Sequence, residues 1–451
     1  MLLRHVRILA VSMVATLAAC SSGSSGASLP ATAPQSDARP HSSSPIQHVV
    51  IVIQENRSFD NLFAGFPNAD SSTSGKNHLG KTIALSRQTL VGRDLDISHN
   101  HSDFVRDYDG GKMDGFDLAQ LGLGRLNERA GAYAYQYVDR AEIAPYWALA
   151  KQYVLDDHMF QTQSSSSFTA HQDLIAGGTE INATESVIDL PSRSPWGCDS
   201  PPGTTTVLIS ATKYPIVPGP FPCFTYGTIR DSLDAKGISW KYYTPTVDYS
   251  KGGGIWSAFD AIKAVRNDGR EWSNNVSSPN TNVFTDIAAG NLPAVAWVVP
   301  DYENSDHPGV GSKDTGPSWV ASIVNAVGKS QYWNSTAIVI LWDDWGGFYD
   351  NVKPVSLDYN GLGFRVPCIV VSPYARKGYV DHTQYEFGSI LKFVEDNWGL
   401  GALPNQRASA VSIAPAFDLT AKPRPFKPVT AEYSQSFFMH QAPSDLPVDD
   451  E

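Results

Sequence analysis

Four short segments of this chain are apolar at every position: Val49–Ile53, Ala294–Val299, Ala337–Leu341 and Val366–Val371. A strand with one wet face alternates polar and apolar residues, so a run without alternation has to be covered on both sides. Helical spacing of apolar residues occurs over Ala141–Val154, Trp319–Val327 and, most clearly, Glu386–Asn397. Strands interleaved with helices predict an α/β fold, with a central, mostly parallel sheet flanked by helices on both faces. With 451 residues, 42% hydrophobic and 18% charged, the chain has the material for a large core and is not a disordered sequence.

Two of these strands end in acids. The first runs through Gln54 into Glu55-Asn56-Arg57-Ser58, and the third runs into Asp343-Asp344 and then Trp345-Gly346-Gly347. Open α/β sheets build their sites at the carboxyl ends of strands. Carboxylate and amide oxygens are hard donors that suit a cation. A single acid there could do no more than cap a turn. Two clusters after two buried strands argue for a site, and if the strands are neighbours then Glu55, Asn56, Asp343 and Asp344 converge. Arg57, directly behind the first pair, reads as a structural residue held in an ion pair inside its loop.

A third segment, Gln161–Thr179 (QTQSSSSFTAHQDLIAGGT), places four serines before a helix-compatible run. Ser167 falls at or near the helix N-terminus, where free N–H groups and the helix dipole favour an anion. A hydroxyl so placed beside a cation can lose its proton and attack a phosphorus or acyl centre. Taken alone, one of these serines would be an N-cap. Histidines complete the set: His99 and His101 in DISHNHSDF, and His307 in PDYENSDHPG, soon after the strand ending at Val299. Imidazoles near a phosphate can bind its oxygens or protonate a leaving group. Other catalytic patterns are missing from the sequence: no Gly-x-Ser-x-Gly elbow, no phosphate-binding lysine loop, no His-Glu-x-x-His and no Cys-x-x-Cys.

The formal charge of −12, with no basic tract, excludes a nucleic-acid binder. The N-terminus reads as a targeting segment. Arg4 and Arg7 precede the short apolar stretch Ile8–Leu17, and Leu17-Ala18-Ala19-Cys20 resembles a bacterial lipobox. The expectation is a signal peptide over 1–19, lipidation of Cys20, and a flexible Ser/Gly/Ala/Pro tether to residue 44. This places the protein in a bacterial cell envelope, lipid-anchored to the membrane, with Ser21 favouring the outer one. An ordinary secretory signal would instead make it a secreted protein. One domain follows over 45–415, with a loop-rich insertion at about 180–285 lying over the site and an irregular tail from 416 to 451. Export permits disulfides. Cys198 and Cys223, both in Pro/Gly-rich loops, are the candidate pair, and Cys368, in an apolar strand, reads as a buried free thiol.

HVVIVIQENRSFDNLF, SFTAHQ, DHPG, WDDWGGFYDNV and RVPCIVVSPYARKGYV together resemble the bacterial phosphoesterase family of the alkaline phosphatase superfamily. That family holds phosphatidylcholine-type phospholipases C and AcpA-type acid phosphatases. The likeness covers about residues 45–400. It implies an alkaline-phosphatase-like sandwich and a phosphoric ester hydrolase built around one divalent metal ion. By position, Glu55, Asn56, Asp343 and Asp344 would be metal ligands, and Ser167 the nucleophile and a fifth ligand. His307 and His99 would meet the substrate phosphate, with His101 as the alternative contact. Three departures matter. Asp344 stands where members often carry Glu. Ser-Phe-Thr-Ala replaces the Thr-x-Pro-Asn of the phospholipase branch and points to acid-phosphatase-like chemistry. Asn351 stands where many members have His, so no role carries over there. The implied partner is a phosphate-ester small molecule or a phospholipid head group. Phospholipase C activity is the alternative, supported by the expected anchor. A non-catalytic binding lipoprotein is a second alternative, opposed by the intact Glu55, Asn56, Ser167, Asp343 and Asp344.

Overall fold

The computed structural model describes residues 44–91, 95–122, 128–245, 257–309 and 313–444. The expected signal peptide, Cys20, nearly all of the tether and the last residues of the tail lie outside them.

An eight-stranded sheet organises the described chain. Its strands are β1 (His48–Gln54), β2 (Val154–Asp156), β3 (Trp240–Tyr243), β4 (Val276–Ser277), β5 (Val295–Val298), β6 (Thr336–Trp342), β7 (Cys368–Val371) and β8 (Tyr379–Asp381). The spatial order is β4-β3-β5-β1-β6-β7-β2-β8. All neighbours are parallel except β7, which runs against both β6 and β2. β1 and β6 lie side by side at the centre, in register from His48 opposite Thr336 to Gln54 opposite Trp342. Their apolar stretches Val49–Ile53 and Ala337–Leu341 are buried throughout, as unbroken apolar strands must be. Their acidic ends therefore leave the sheet together.

Helices flank the sheet at Ala144–Gln152, Ser167–Ala176, Gly316–Lys329 and Phe387–Trp398. The last is closed at its start by a reciprocal Glu386–Ser389 capping box. Val320, Ile323, Ile390 and Val394 share one apolar core with the β1 and β6 side chains.

Three expectations are corrected. The helix over Ala141–Val154 is shorter, starting at Ala144 with Pro145 in its first turn, and Val154 opens β2 instead. Pro fits only the first helical turn, which fixes that start. The strand over Val366–Val371 begins at Cys368, because Pro367 has no N–H for the ladder. The stretch 180–285 is an insertion only in its first part. Glu180–Ile216 makes a separate four-stranded antiparallel sheet. The remainder returns to the core, where β3 and β4 extend the main sheet and bury Trp240, Tyr242 and Tyr243.

Cys198 and Cys223 form a disulfide, and Cys368 is a buried free thiol. Within the tail, the short helix Gln435–His440 seats Phe438 edge-on against Trp319, with ring centroids 5.3 Å apart. Among the described residues no helix is long and apolar enough to cross a membrane.

Candidate metal centre

The ends of β1 and β6 are tied together by main-chain contacts. Asp343 N donates to Gln54 O at 2.9 Å, and Asn56 adopts the left-handed region with φ 54°. Asn tolerates that conformation better than most residues. Asp343 Oδ1 accepts from Asn56 N at 2.9 Å and from Asp344 N at 2.8 Å, while Asp344 Oδ1 accepts from Gly346 N at 2.7 Å. One oxygen of each aspartate thus does the turn-capping work. The second oxygens are turned to the centre. Asp344 Oδ2 accepts from Ser167 Oγ at 3.1 Å, and Asp343 Oδ2 is buried with no hydrogen-bond partner among the described residues. A Cβ on Gly346 (φ 57°) would sit 2.1 Å from Asn56 O, so only glycine lets the loop close on Asn56.

Ser167 is the first residue of the Ser167–Ala176 helix, which is buried along its whole length. Its Oγ is also 3.4 Å from Asn56 Oδ1. One turn later, His171 reaches the same centre, with Nε2 3.0 Å from Glu55 Oε1 and 3.8 Å from Asp343 Oδ2. Reasoning from sequence passed over His171. The available signal was its spacing of four from Ser167, which puts both on one helix face. Glu55, His171 and Asp343 each offer a donor atom within 4.8 Å of the others.

His99 and His307 close the other side. The Nδ1 of His99 meets Ile97 O at 2.7 Å, and that of His307 meets Pro308 O and the Tyr302 hydroxyl. Their Nε2 atoms face the Asn56 amide at 2.9 and 3.0 Å. The amide can sit two ways. With oxygen toward the rings, both imidazoles must be protonated, and Nδ2 donates to Asp343 Oδ1 and Glu55 Oε2 at 3.1 and 3.2 Å. That puts two like charges 6.4 Å apart, ring to ring. With nitrogen toward the rings, Nδ2 donates to two neutral imidazoles, and Oδ1 looks at the carboxylates and Ser167. An amide oxygen aimed at carboxylates is favourable only with a cation between them. Burial, then the negative charge of Glu55, holds the Asp343 carboxyl well above its usual range. A cation would oppose both effects. The orphaned Asp343 Oδ2 and the convergent hard oxygens of Glu55, Asn56, Ser167, Asp343 and Asp344 fit a divalent metal ion.

Two residues behave differently from expectation. His101 turns to Ser164, with Nδ1 2.8 Å from its carbonyl and 3.0 Å from its hydroxyl, and packs edge-on to Tyr214. Asn100 caps a helix that starts at His101, so the ring cannot follow His99 into the centre. Arg57 is structural, but its guanidinium donates to the carbonyls of Asp306 and Leu90 and to Asn61 Oδ1 rather than to a carboxylate. Asn351 bridges Asp70 and Arg365 and takes no part in the centre.

A central, mostly parallel sheet that delivers a serine, an amide and a set of buried carboxylates to one point at its carboxyl rim defines a mixed α/β enzyme with a candidate metal centre. The phosphoesterase family profile matches residues 46–401, and the chain belongs to that family. It is a hydrolase acting on phosphoester bonds. The chain is 26% identical to "Phospholipase C A" of Mycobacterium tuberculosis, over 80% of this chain and 74% of that one. It is 24% identical to "Non-hemolytic phospholipase C" of Pseudomonas aeruginosa, over 83% of this chain and 57% of that protein. A solved structure of an alkaline phosphatase superfamily protein from Vibrio parahaemolyticus covers 81% of this chain and 70% of its own, at 12% identity and a TM-score of 0.37.

Proposed function

We propose that this protein is an exported phosphoesterase in which Ser167 attacks phosphorus and turnover passes through a phosphoserine. The observation that carries the reading is the position of Ser167 Oγ, on the first residue of a buried helix, 3.1 Å from Asp344 Oδ2 and 3.4 Å from Asn56 Oδ1. Glu55, Asn56, Asp343 and Asp344 would hold one divalent cation, with Ser167 as a further donor. Bound there, the cation lowers the pKa of the serine hydroxyl and offsets charge on the phosphate oxygens.

The residues of the chain supply the rest. The open N–H groups at the start of the Ser167–Ala176 helix receive phosphate oxygens. Ser167 Oγ forms the new bond to phosphorus as the ester oxygen leaves on the opposite side. His99 and His307, with their Nδ1 atoms anchored on main-chain oxygens, bring Nε2 to the edge of the centre, where either ring, once it takes up a proton, binds phosphate oxygens. Water then cleaves the phosphoserine, releasing phosphate and restoring the hydroxyl. His171 holds Glu55 in place.

Monoesters are the favoured substrates, because the Ser-Phe-Thr-Ala segment follows the phosphatase branch. The relatives' names favour a second reading, phospholipase C acting on phosphodiester lipids. The lipobox-like Leu17–Cys20 supports a lipid-anchored location in the cell envelope and, with it, access to membrane substrates. Hydrolysis of p-nitrophenyl phosphate and of p-nitrophenylphosphorylcholine, each with a Ser167→Ala control, separates the readings. Faster monoester turnover that disappears in Ser167→Ala supports the phosphatase. Preference for the choline diester moves the assignment to phospholipase C. Full activity in Ser167→Ala defeats the serine mechanism.

A further inference from the structure

We propose that Asp157, His158 and His382 form a second metal site, separate from the catalytic centre and suited to zinc or a similar borderline divalent ion. Asp157 follows β2 directly, and His382 follows β8, the outermost strand of the sheet. β2 and β8 are parallel and in register, Asp156 opposite Asp381, so both residues leave the sheet at one point. β2 is parallel to β6 through the intervening antiparallel β7, which puts this point on the same rim as the centre. At ~4.8 Å per strand, β2 and β8 stand roughly 10–15 Å from β6.

Three donors converge there. The buried Asp157 carboxylate lies 2.7 Å from His158 Nδ1 through Oδ1, and 2.9 Å from His382 Nδ1 through Oδ2. The three ligand atoms fall within 4.8 Å of one another. Tetrahedral zinc with bonds of ~2.0–2.1 Å spaces its ligands by about 3.4 Å, so a small widening admits the ion. Two imidazoles and one carboxylate suit zinc better than magnesium or calcium, which take oxygen sets. The His382 side chain is 57% exposed, which gives an entry path and leaves a fourth position for water.

The surroundings are built for a ligand rather than for a bare ion pair. Asp70 Oδ2 stands 3.7 Å from His158 Nε2, behind the ring relative to Asp157. At that distance it makes no hydrogen bond, but it places a negative charge beside the far nitrogen of the ring. Asp70 is itself fixed, with its N–H on Asp157 Oδ2 at 2.6 Å and Asn351 Nδ2 on its Oδ1 at 3.1 Å. Two carboxylates are thus clustered, and among the described residues no lysine or arginine side chain pairs with either. The nearby Arg365 donates to the main-chain carbonyls of Asp70 and Asp157 and gives its charge to Asp350. A bound divalent ion would add positive charge beside both carboxylates.

The test is metal stoichiometry of the full chain. The protein is stripped with chelator, loaded with zinc chloride at pH 7.5, gel-filtered and assayed for zinc per chain. His382→Ala and His158→Ala/His382→Ala are compared with wild type, and Asp343→Asn/Asp344→Asn serves as the variant impaired at the catalytic centre. Wild type is expected to hold one zinc more than either histidine variant, with the extra ion retained in the aspartate variant. His382→Ala, altered at an exposed side chain, should fold and hydrolyse phosphoesters as wild type does, while its zinc affinity at this point falls at least about 10- to 100-fold. Equal zinc in wild type and both histidine variants overturns the site, as does loss of the extra ion in the aspartate variant alone.

Discussion

The partner of His171 at the centre is Glu55, whose Oε1 it holds at 3.0 Å. Replacing His171 by alanine should leave Ser167, the proposed nucleophile, intact but release a carboxylate that the proposed metal ion would need. The expected result is a metal affinity lower by about 10- to 100-fold, with turnover recovered by excess metal. Titrating activity with metal checks this, and a loss that no metal concentration restores would place His171 in the chemistry instead. Serines of one run should differ more sharply. Ser167→Ala should cost on the order of a thousandfold or more in turnover, as removal of a nucleophile does. Ser164→Ala should be near neutral, because among the described residues Ser164 Oγ meets Asn360 O and His101 and does not reach the centre. Comparable losses in the two variants would sink the assignment of Ser167. At this scale the sequence was readable wherever a residue abuts a strand end or a helix start. Glu55, Asn56, Ser167, Asp343 and Asp344 all satisfy that condition. His99 and His101 were not separable, since which ring faces the centre depends on the Asn100 cap between them. The carbonyl partners of Arg57 come from residues up to 249 positions away, and no local pattern encodes them.

The element that matters most is the turn after β6. Asp343, Asp344 and Gly346 fold it against Asn56, and Gly346 lies in the left-handed region with no room for a side chain. Gly346→Ala should therefore cost roughly 1–3 kcal/mol in backbone strain, with a steric term on top. Because the clash is with Asn56 O itself, activity should fall by more than the stability loss accounts for. Thermal melting and turnover measured side by side would show it, and a variant that keeps full activity at lowered melting temperature would mean the turn tolerates displacement. Strands and helices were legible for a related reason. β1, β5, β6 and β7 are built on unbroken apolar runs, and complete burial leaves a strong sequence mark. Direction leaves none, so the antiparallel course of β7 could not be read. β3 and β4, at four and two residues among Pro, Gly and Ser, are too short to show a period.

Across the molecule, many carboxyl groups are buried without a full complement of cations. Burial pushes Asp301 and Asp306 each up to about 6, and raises Asp156, Asp173, Asp260 and Asp343 well above the usual range. The folded protein thus favours their neutral forms, while the unfolded chain ionises them near pH 4. Stability from this source is complete below pH 4. It declines as pH rises from there through the folded values, over pH 4 to 6 for Asp301 and Asp306 and further upward for the others. Chelated protein should melt at a higher temperature at pH 5 than at pH 7. Asp343 gives the effect a second handle, since a cation among Glu55, Asn56, Asp343 and Asp344 favours the ionised form that burial disfavours. The divalent ion that supports turnover should raise the melting temperature more at pH 7 than at pH 5, where protons compete for the same oxygens. Melting curves at both pH values, with chelator and with metal, contain the whole comparison. A metal-induced rise of equal size at both would mean that the ion binds away from the buried carboxylates, and the centre assembled at the ends of β1 and β6 would lose its claim to it.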